Sequence, residues 1–328
     1  MPTKSLNSTL AQAKHAKEDE FYTQLADVER ELDHYKQHFK GKTVYCNCDD
    51  PRVSSFFHFF SHNFERLGLK KLITTCYKNQ DVDLFSKNKA EKAVFLEYNG
   101  EKTGKNVPDP TKIGIKHLQG DGDFRSEESI ALLKQADIIV TNPPFSLFRE
   151  YVAQLVEHNK KFLIIGNQNA ITYKEIFSLI KEDKLWLGHC SGGMSFKVPD
   201  HYQPRKTRYW VDENGQKWRS LGSVCWFTNL DLKKRHEDID CFRQYDPALY
   251  PKYDGIDAIE VSKVAEIPKD YTGTMGVPIT FLYKYNPQQF ELVGQMVTTK
   301  VDAFNFGYPY INGEKIYARI LIKHKVNL

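Results

Sequence analysis

No stretch of this 328-residue chain approaches the roughly 20 apolar residues that a membrane span needs, and its mean hydropathy is −0.55. The opening residues, MPTKSLNSTLAQAKHAK, contain no apolar core of the kind that a secretory signal carries. Six cysteines are too few for a disulfide framework, so a soluble, reduced, intracellular protein is expected. Charge of one sign is scarce as well. The 46 Lys and Arg exceed the 42 Asp and Glu by only +4, which excludes a polybasic nucleic-acid binder but not a local basic face. No internal repeat is found. What the chain does have is 41% hydrophobic residues, enough for a substantial core in one large domain or two modest ones.

The first 40 residues read as one helix, because Phe21, Leu25, Val28, Leu32, Tyr35 and Phe39 recur at spacings of four and three. Gly41 supplies a stop. So short a stripe suits a helix laid against its own domain better than a coiled coil. From residue 43 to about 188, apolar strands alternate with helical stretches, the pattern of an open α/β sheet. Strands are expected at 44–48, 69–77, 93–98, 115–119, 137–141, 161–166 and 185–188, and helices at 52–67 and 146–159. Beyond Cys190 the chain turns β-rich. A hairpin is expected around residues 212–215, and a stronger one around Asn312-Gly313.

The sharpest feature is Asn142-Pro143-Pro144-Phe145, at the end of the buried strand that begins at Asp137. In an open α/β sheet, ligands bind beyond the carboxyl ends of the strands. An exocyclic amine on a nucleobase is a poor nucleophile, since its lone pair is delocalised into the ring. The Asn142 side-chain oxygen and the Pro143 carbonyl can accept its two N–H bonds, favouring the pyramidal nitrogen of the transition state. The prolines stiffen the turn, and Phe145 offers a face for a flat ring. Three acids precede this turn at strand ends. Asp123, followed by Phe124, can accept from an adenine amino group, Glu97 can bind ribose hydroxyls, and Asp50-Pro51 opens a Phe-rich helix. Two other groupings carry little. Cys46, Cys48, His58, His62 and Cys76 lack paired C-x-x-C spacing, so no metal is expected. Residues 120–123 lack the Lys-Ser/Thr of a phosphate loop.

The order Asp50-Pro51, Glu97, Asp123-Phe124, Asn142-Pro143-Pro144-Phe145 resembles the motif series of amino-group methyltransferases. More closely, VYCNCDDPRVSSFFHFF, ADIIVTNPPFSLFREY and FLIIGNQNAITYKE resemble the EcoRI-type adenine-specific DNA methyltransferase family, from about residue 42 onward. The resemblance implies a Rossmann-like sheet dependent on S-adenosylmethionine, with an appended β-rich target-recognition region. It also implies methyl transfer to N6 of adenine in double-stranded DNA. Residues 1–41 would then be an N-terminal amphipathic helix, 42–190 the catalytic domain and 191–328 the target-reading region. Asn142, Pro143, Pro144 and Phe145 take the catalytic positions. Asp50, Pro51, Thr75, Cys76, Glu97, Asp123, Phe124 and Asn142 take the cofactor positions. The family's Phe-x-Gly-x-Gly loop is absent. Either Thr74-Thr75-Cys76-Tyr77 stands in its place after the 69–77 strand, or 44–50 is itself the first Rossmann strand and 69–77 the second.

Between Phe196 and Arg235 nine basic residues face four acidic ones, a local surplus larger than that of the whole chain. Lys197, Arg205, Lys206, Arg208, Lys217 and Arg219, with Trp210 interleaved, are the expected DNA contacts. A base inside a duplex must be flipped out to be reached, and Tyr173, Phe196, Tyr202 and Tyr209 join Trp210 as aromatic candidates for that task. Alternatives within the enzymes are cytosine N4, RNA adenine or a protein glutamine as acceptor. From another class, the chain would be a catalytically silent DNA-binding protein. The setting implied is the cytoplasm of a bacterium or its phage, either beside a restriction endonuclease of the same site or as a solitary enzyme.

Overall fold

The computed structural model describes residues 23–77, 92–100, 108–198 and 202–325. Two units make up the chain, Met1–Gln168 with Cys190–Leu230, and Asn169–His189 with Asp231–Leu328.

Helix α1, Leu25–Leu32, continues into a 3-10 turn at Asp33–His38. Of the expected stripe, Leu25 is exposed and the remaining described residues are what it buries. Val28, Leu32, Tyr35 and Phe39 are fully buried, and Phe39 meets Phe60 edge-on at 5.1 Å. Phe21 lies outside the described residues. Strand β1, Thr43–Cys46, follows. The helix expected at 52–67 is two pieces, α2 at Ser55–His62 and α3 at Phe64–Leu67. The break falls at Asn63, whose side-chain N–H donates to the Phe59 carbonyl at 2.8 Å, competing with the helical ladder as short amides do. Next come β2 (Lys71–Cys76), β3 (Val94–Tyr98), α4 (Pro110–Ile113), β4 (Lys116–His117) and α5 (Glu127–Gln135). After them come β5 (Ile138–Thr141), α6 (Phe148–Glu157), β6 (Lys161–Asn167), α7 (Lys174–Lys181) and β7 (Trp186–Leu187). Four further strands are β8 (Met194–Lys197), β9 (Tyr209–Val211), β10 (Lys217–Leu221) and β11 (Val224–Thr228).

The strands that the first unit gives to the large sheet run in the order β4-β3-β2-β1-β5-β6-β11. β2, β1, β5 and β6 are parallel, with Cys46 opposite Thr74 and Tyr45 opposite Ile139. They read as unbroken apolar runs because both faces are covered, as in parallel sheets generally. β3 is antiparallel to β2, β4 to β3, and β11 to β6. From β1 the chain moves outward to β2 and later returns to β1's other side as β5. The strand order therefore reverses between β1 and β5, where an open α/β sheet leaves a crevice at the carboxyl ends. Of the two registers open in the sequence, this topology has 44–46 as the first strand and 71–76 as the second.

A second sheet in this unit has the order β8-β10-β9. In the other unit β12 (Ala258–Glu260), β13 (Thr274–Pro278) and β14 (Phe290–Met296) precede the hairpin of β15 (Tyr310–Ile311) and β16 (Glu314–Lys315). The last strand is β17 (Arg319–His324). The predicted turn is present, with Asn312 at φ 53 and Gly313 at φ 79, the type I′ geometry that Asn-Gly favours. The sheet β12-β13-β17-β14 encloses Met275, Phe290, Leu292 and Ile322, together with an ion pair between Arg319 and Glu260 at 2.5 Å.

Candidate active site

The loop after β1 and the turn after β5 meet at the carboxyl edge of the sheet in a polar knot. Cys48 sits at φ 66, a left-handed conformation that costs a non-glycine residue about 1 kcal/mol and persists only where its surroundings fix it. Several hydrogen bonds do so. The Asp49 N–H donates to the Thr75 carbonyl at 2.9 Å, tying this loop to the end of β2. Buried Tyr151 on α6 donates its hydroxyl to Asn47 Oδ1. Thr141, the last residue of β5, bonds the Asn47 carbonyl through its hydroxyl, which also lies 2.6 Å from Asp49 Oδ2. Ser54 caps α2 by accepting from the Phe57 N–H at 3.1 Å and donates to Asp49 Oδ1 at 3.0 Å.

Desolvation is the largest influence on Asp49. It pushes the carboxyl up to about 7, against the lowering effects of Thr141, Ser54 and the Asn142 N–H; the charge of Asp50 raises it further. The neighbouring Asp50 is buried and held by its own chain, Arg52 Nε and Nη2 donating to its two oxygens at 2.8 and 2.5 Å. Burial also pushes the Cys46 and Cys48 thiols up, leaving both neutral at physiological pH.

In the turn after β5, Pro143 is buried, Pro144 is exposed, and Phe145 opens a 3-10 turn, Phe145–Leu147. The Asn142 side-chain N–H donates to Thr23 Oγ1 at 3.3 Å, and the Thr23 carbonyl accepts from Ser55 Oγ at 2.7 Å. Thr23 thus fixes which end of the Asn142 amide faces away from the N-terminal segment.

The other expected site residues divide. Gly122, at φ 80, lies so close to the end of β2 that a Cβ there would stand 2.7 Å from the Cys76 carbonyl oxygen. That contact brings Asp123 and Phe124 to the same edge as Thr75 and Cys76, both buried. Phe124 meets Tyr151 edge-on at 5.1 Å and so joins the knot. Asp123 pairs with Arg125, whose side-chain hydrogen bond holds its carboxyl below the usual range. Glu97 is not brought here. Because β3 runs antiparallel, Glu97 lies opposite Ile73 and pairs with Lys71 at 3.0 Å, at the amino end of β2. The reasoning from sequence passed over Asn47, Asp49, Thr141, Tyr151 and Thr23. The one available signal was the doublet Asp49-Asp50 closing the alternative first strand.

The first part of the basic stretch forms the sheet β8-β10-β9, in which Lys197, Trp218 and Trp210 stand in one row across the strands, while Lys233, Lys234 and Arg235 lie in a 3-10 turn of the other unit. The two indoles stack at 6.0 Å and 2°, Lys197 lies 5.5 Å from the Trp218 ring, and Trp218 Nε1 donates to Asp212 at 2.9 Å. Arg205, Lys206 and Arg208 are exposed beside them. Lys217 and Arg219 are half-buried and donate to the Tyr202 and Thr207 carbonyls. Phe196 and Tyr202, expected among the aromatic candidates for base flipping, are instead core.

A sheet whose central parallel strands deliver an Asn-Pro-Pro-Phe turn and a carboxylate-bearing loop to its switch point fits the Rossmann-like class of amino-group methyltransferases that the motif resemblance implies. Comparison with known proteins narrows the class. The family model described as adenine-specific methyltransferase EcoRI matches residues 9–325, so the likeness reaches well before residue 42. The chain is 52% identical over 329 residues to the type II methyltransferase M.EcoRI of Escherichia coli, covering 99% of each. It is 42% identical to the type II methyltransferase M.MgeORF184P of Mycoplasma genitalium, over 95% of this chain and 97% of that one. To M.MpnI of Mycoplasma pneumoniae it is 39% identical, over 96% and 98%. No solved structure matches. The chain belongs to the EcoRI adenine-specific methyltransferase family and is an enzyme of that activity.

Proposed function

We propose that the protein is a site-specific DNA methyltransferase that transfers a methyl group from S-adenosylmethionine to N6 of an adenine flipped out of the duplex. The observation that carries this reading is the Asn142-Pro143-Pro144-Phe145 turn at the switch point, flanked by the loop after β1. The Asn142 side-chain oxygen and the Pro143 carbonyl accept the two N6 hydrogens, and Phe145 stacks on the base. Holding the nitrogen about 3–3.5 Å from its target and excluding water is the enzyme's main task.

The residues at this edge fit the cofactor in part. The Asp50–Arg52 pair offers one charge of each sign for its amino-acid end, while Phe124 offers a ring face and Asp123 an acceptor for its adenine. When bound, the cofactor supplies a methyl group already activated as a sulfonium. Glu97, turned to the other end of β2, is left out of this assignment.

Residues 42–190 would carry cofactor binding and catalysis, and 191–328 target reading. The row Lys197, Trp218, Trp210, with exposed Arg205, Lys206 and Arg208, suits a DNA backbone. In a restriction system the partner endonuclease would recognise the same duplex site in the cytoplasm, with no need for a shared protein surface. To test the reading, the protein is incubated with duplex DNA and cofactor labelled in its methyl group, and the DNA is digested to nucleosides. Label in N6-methyldeoxyadenosine, lost in Asn142→Ala, is the expected result. Label in no DNA nucleoside, or near-normal turnover by Asn142→Ala, would overturn it.

A further inference from the structure

We propose that Asp49 is a positioning residue for Asn142, acting as a neutral carboxylic acid that both donates and accepts hydrogen bonds at the junction of β1 and β5. The inference rests on the catalytic reading of Asn142. It begins from a count of protons. Thr141 Oγ1 bonds the Asn47 carbonyl, which can only accept, and lies 2.6 Å from Asp49 Oδ2. One hydroxyl has one proton. Shared between two acceptors, that proton makes only a bifurcated bond, whereas two full hydrogen bonds form when Asp49 carries a proton and gives it to Thr141 while Thr141 gives its own to Asn47. The second oxygen of the acid accepts from Ser54 Oγ at 3.0 Å, and the Asn142 N–H also donates to this carboxyl.

The surroundings agree with a neutral group. Cys46 and Cys48 are held neutral by burial, Tyr151 likewise, and Asp50 adds a like charge next door. Arg52, the cation of this loop, is engaged by both oxygens of Asp50. The acid therefore links four positions: the end of β1, the cap of α2, the end of β5 and the backbone of Asn142. With the donation from Asn142 Nδ2 to Thr23 Oγ1, the amide is fixed at its backbone and at its far end. Asparagine is the one common side chain that reproduces a protonated aspartate, with an N–H for Thr141 and a carbonyl for Ser54.

The test compares steady-state kinetics of Asp49→Asn, Asp49→Ala, Thr141→Val and Asn142→Ala on duplex DNA. Asp49→Asn should keep kcat within about threefold of wild type. Asp49→Ala should lower kcat by about 100-fold, with KM for DNA and cofactor within about threefold, as expected when a reacting group is misplaced by about 1 Å. Thr141→Val, which keeps side-chain volume, should lower kcat in the same direction, and it tests the idea if the alanine variant does not fold. An Asp49→Asn variant as impaired as Asp49→Ala would show that the charge is required and would overturn the proposal. So would wild-type kcat in both Asp49→Ala and Thr141→Val while Asn142→Ala is inactive. Activity in Asn142→Ala would instead remove the catalytic reading itself, which keeps the two failures apart.

Discussion

Replacing Asp49 with Asn should change how the stability of the protein depends on pH, in a direction and by an amount that the structure sets. Desolvation raises the carboxyl from its ordinary 3.8 to about 7 in the folded chain. Between those values the native state holds a proton that the unfolded state has released. Stability therefore falls as pH rises through this window, and flattens once the native group has also ionised. One pH unit is worth about 1.36 kcal/mol, so from pH 5 to pH 8 the group withdraws about 2.5 kcal/mol from wild type. An asparagine has no proton to lose and keeps the contacts to Thr141 and Ser54. Urea unfolding at pH 5, 6, 7 and 8, followed by the fluorescence of buried Trp226, measures both proteins under the same contributions from all other groups. The advantage of Asp49→Asn over wild type should grow by about 2.5 kcal/mol across the series, with most of the rise below pH 7. Curves that stay parallel within about 0.5 kcal/mol would refute the reasoning, because the acid would then be ionised in both states.

Glu97→Gln should leave cofactor affinity in calorimetry within twofold of wild type and cost less than about 1 kcal/mol of stability, since the residue lies at the amino end of β2 in a partly exposed pair with Lys71. A tenfold loss of affinity would return Glu97 to the cofactor. Arg205→Ala combined with Lys206→Ala should reduce the slope of log affinity for DNA against log salt by about 1.8, at unchanged kcat with saturating DNA. An unchanged slope would take DNA off this face. Glu260→Ala should cost about 3–5 kcal/mol in chemical denaturation, because it leaves the guanidinium of Arg319 buried without its anion; a loss below about 1 kcal/mol would mean that water reaches Arg319.

What the sequence disclosed follows from how local each signal is. The Asn142 turn stood out because its residues are adjacent in the chain and carry their signal locally. The α1 stripe was legible because helical periodicity needs only its own residues, and Val28, Leu32, Tyr35 and Phe39 are indeed its buried face. Strand direction is different. Nothing in the alternation of 93–98 says whether it runs with or against its neighbour, since the same residues fit both pairings. That single reversal carries Glu97 from one end of β2 to the other. The split of 52–67 at Asn63 was hidden for the converse reason: its Phe spacing continues through the break while the backbone does not.

The missing glycine-rich loop and the hidden acid are two sides of one construction. Glycines at the end of a first Rossmann strand permit a tight turn, because they adopt left-handed conformations without strain. Here the left-handed position after β1 is Cys48, which has no such freedom. Its conformation must be imposed from outside, and the polar side chains of Asn47, Asp49, Ser54, Thr141 and Tyr151 impose it. Two of those partners come from β5 and α6, the elements on either side of Asn142-Pro143-Pro144-Phe145. A glycine turn shapes itself and leaves the turn after β5 to be positioned separately. In this chain the loop after β1 holds its shape only while β5 and α6 are in place, so one network sets both walls of the crevice and a loss in either wall should be felt in the other.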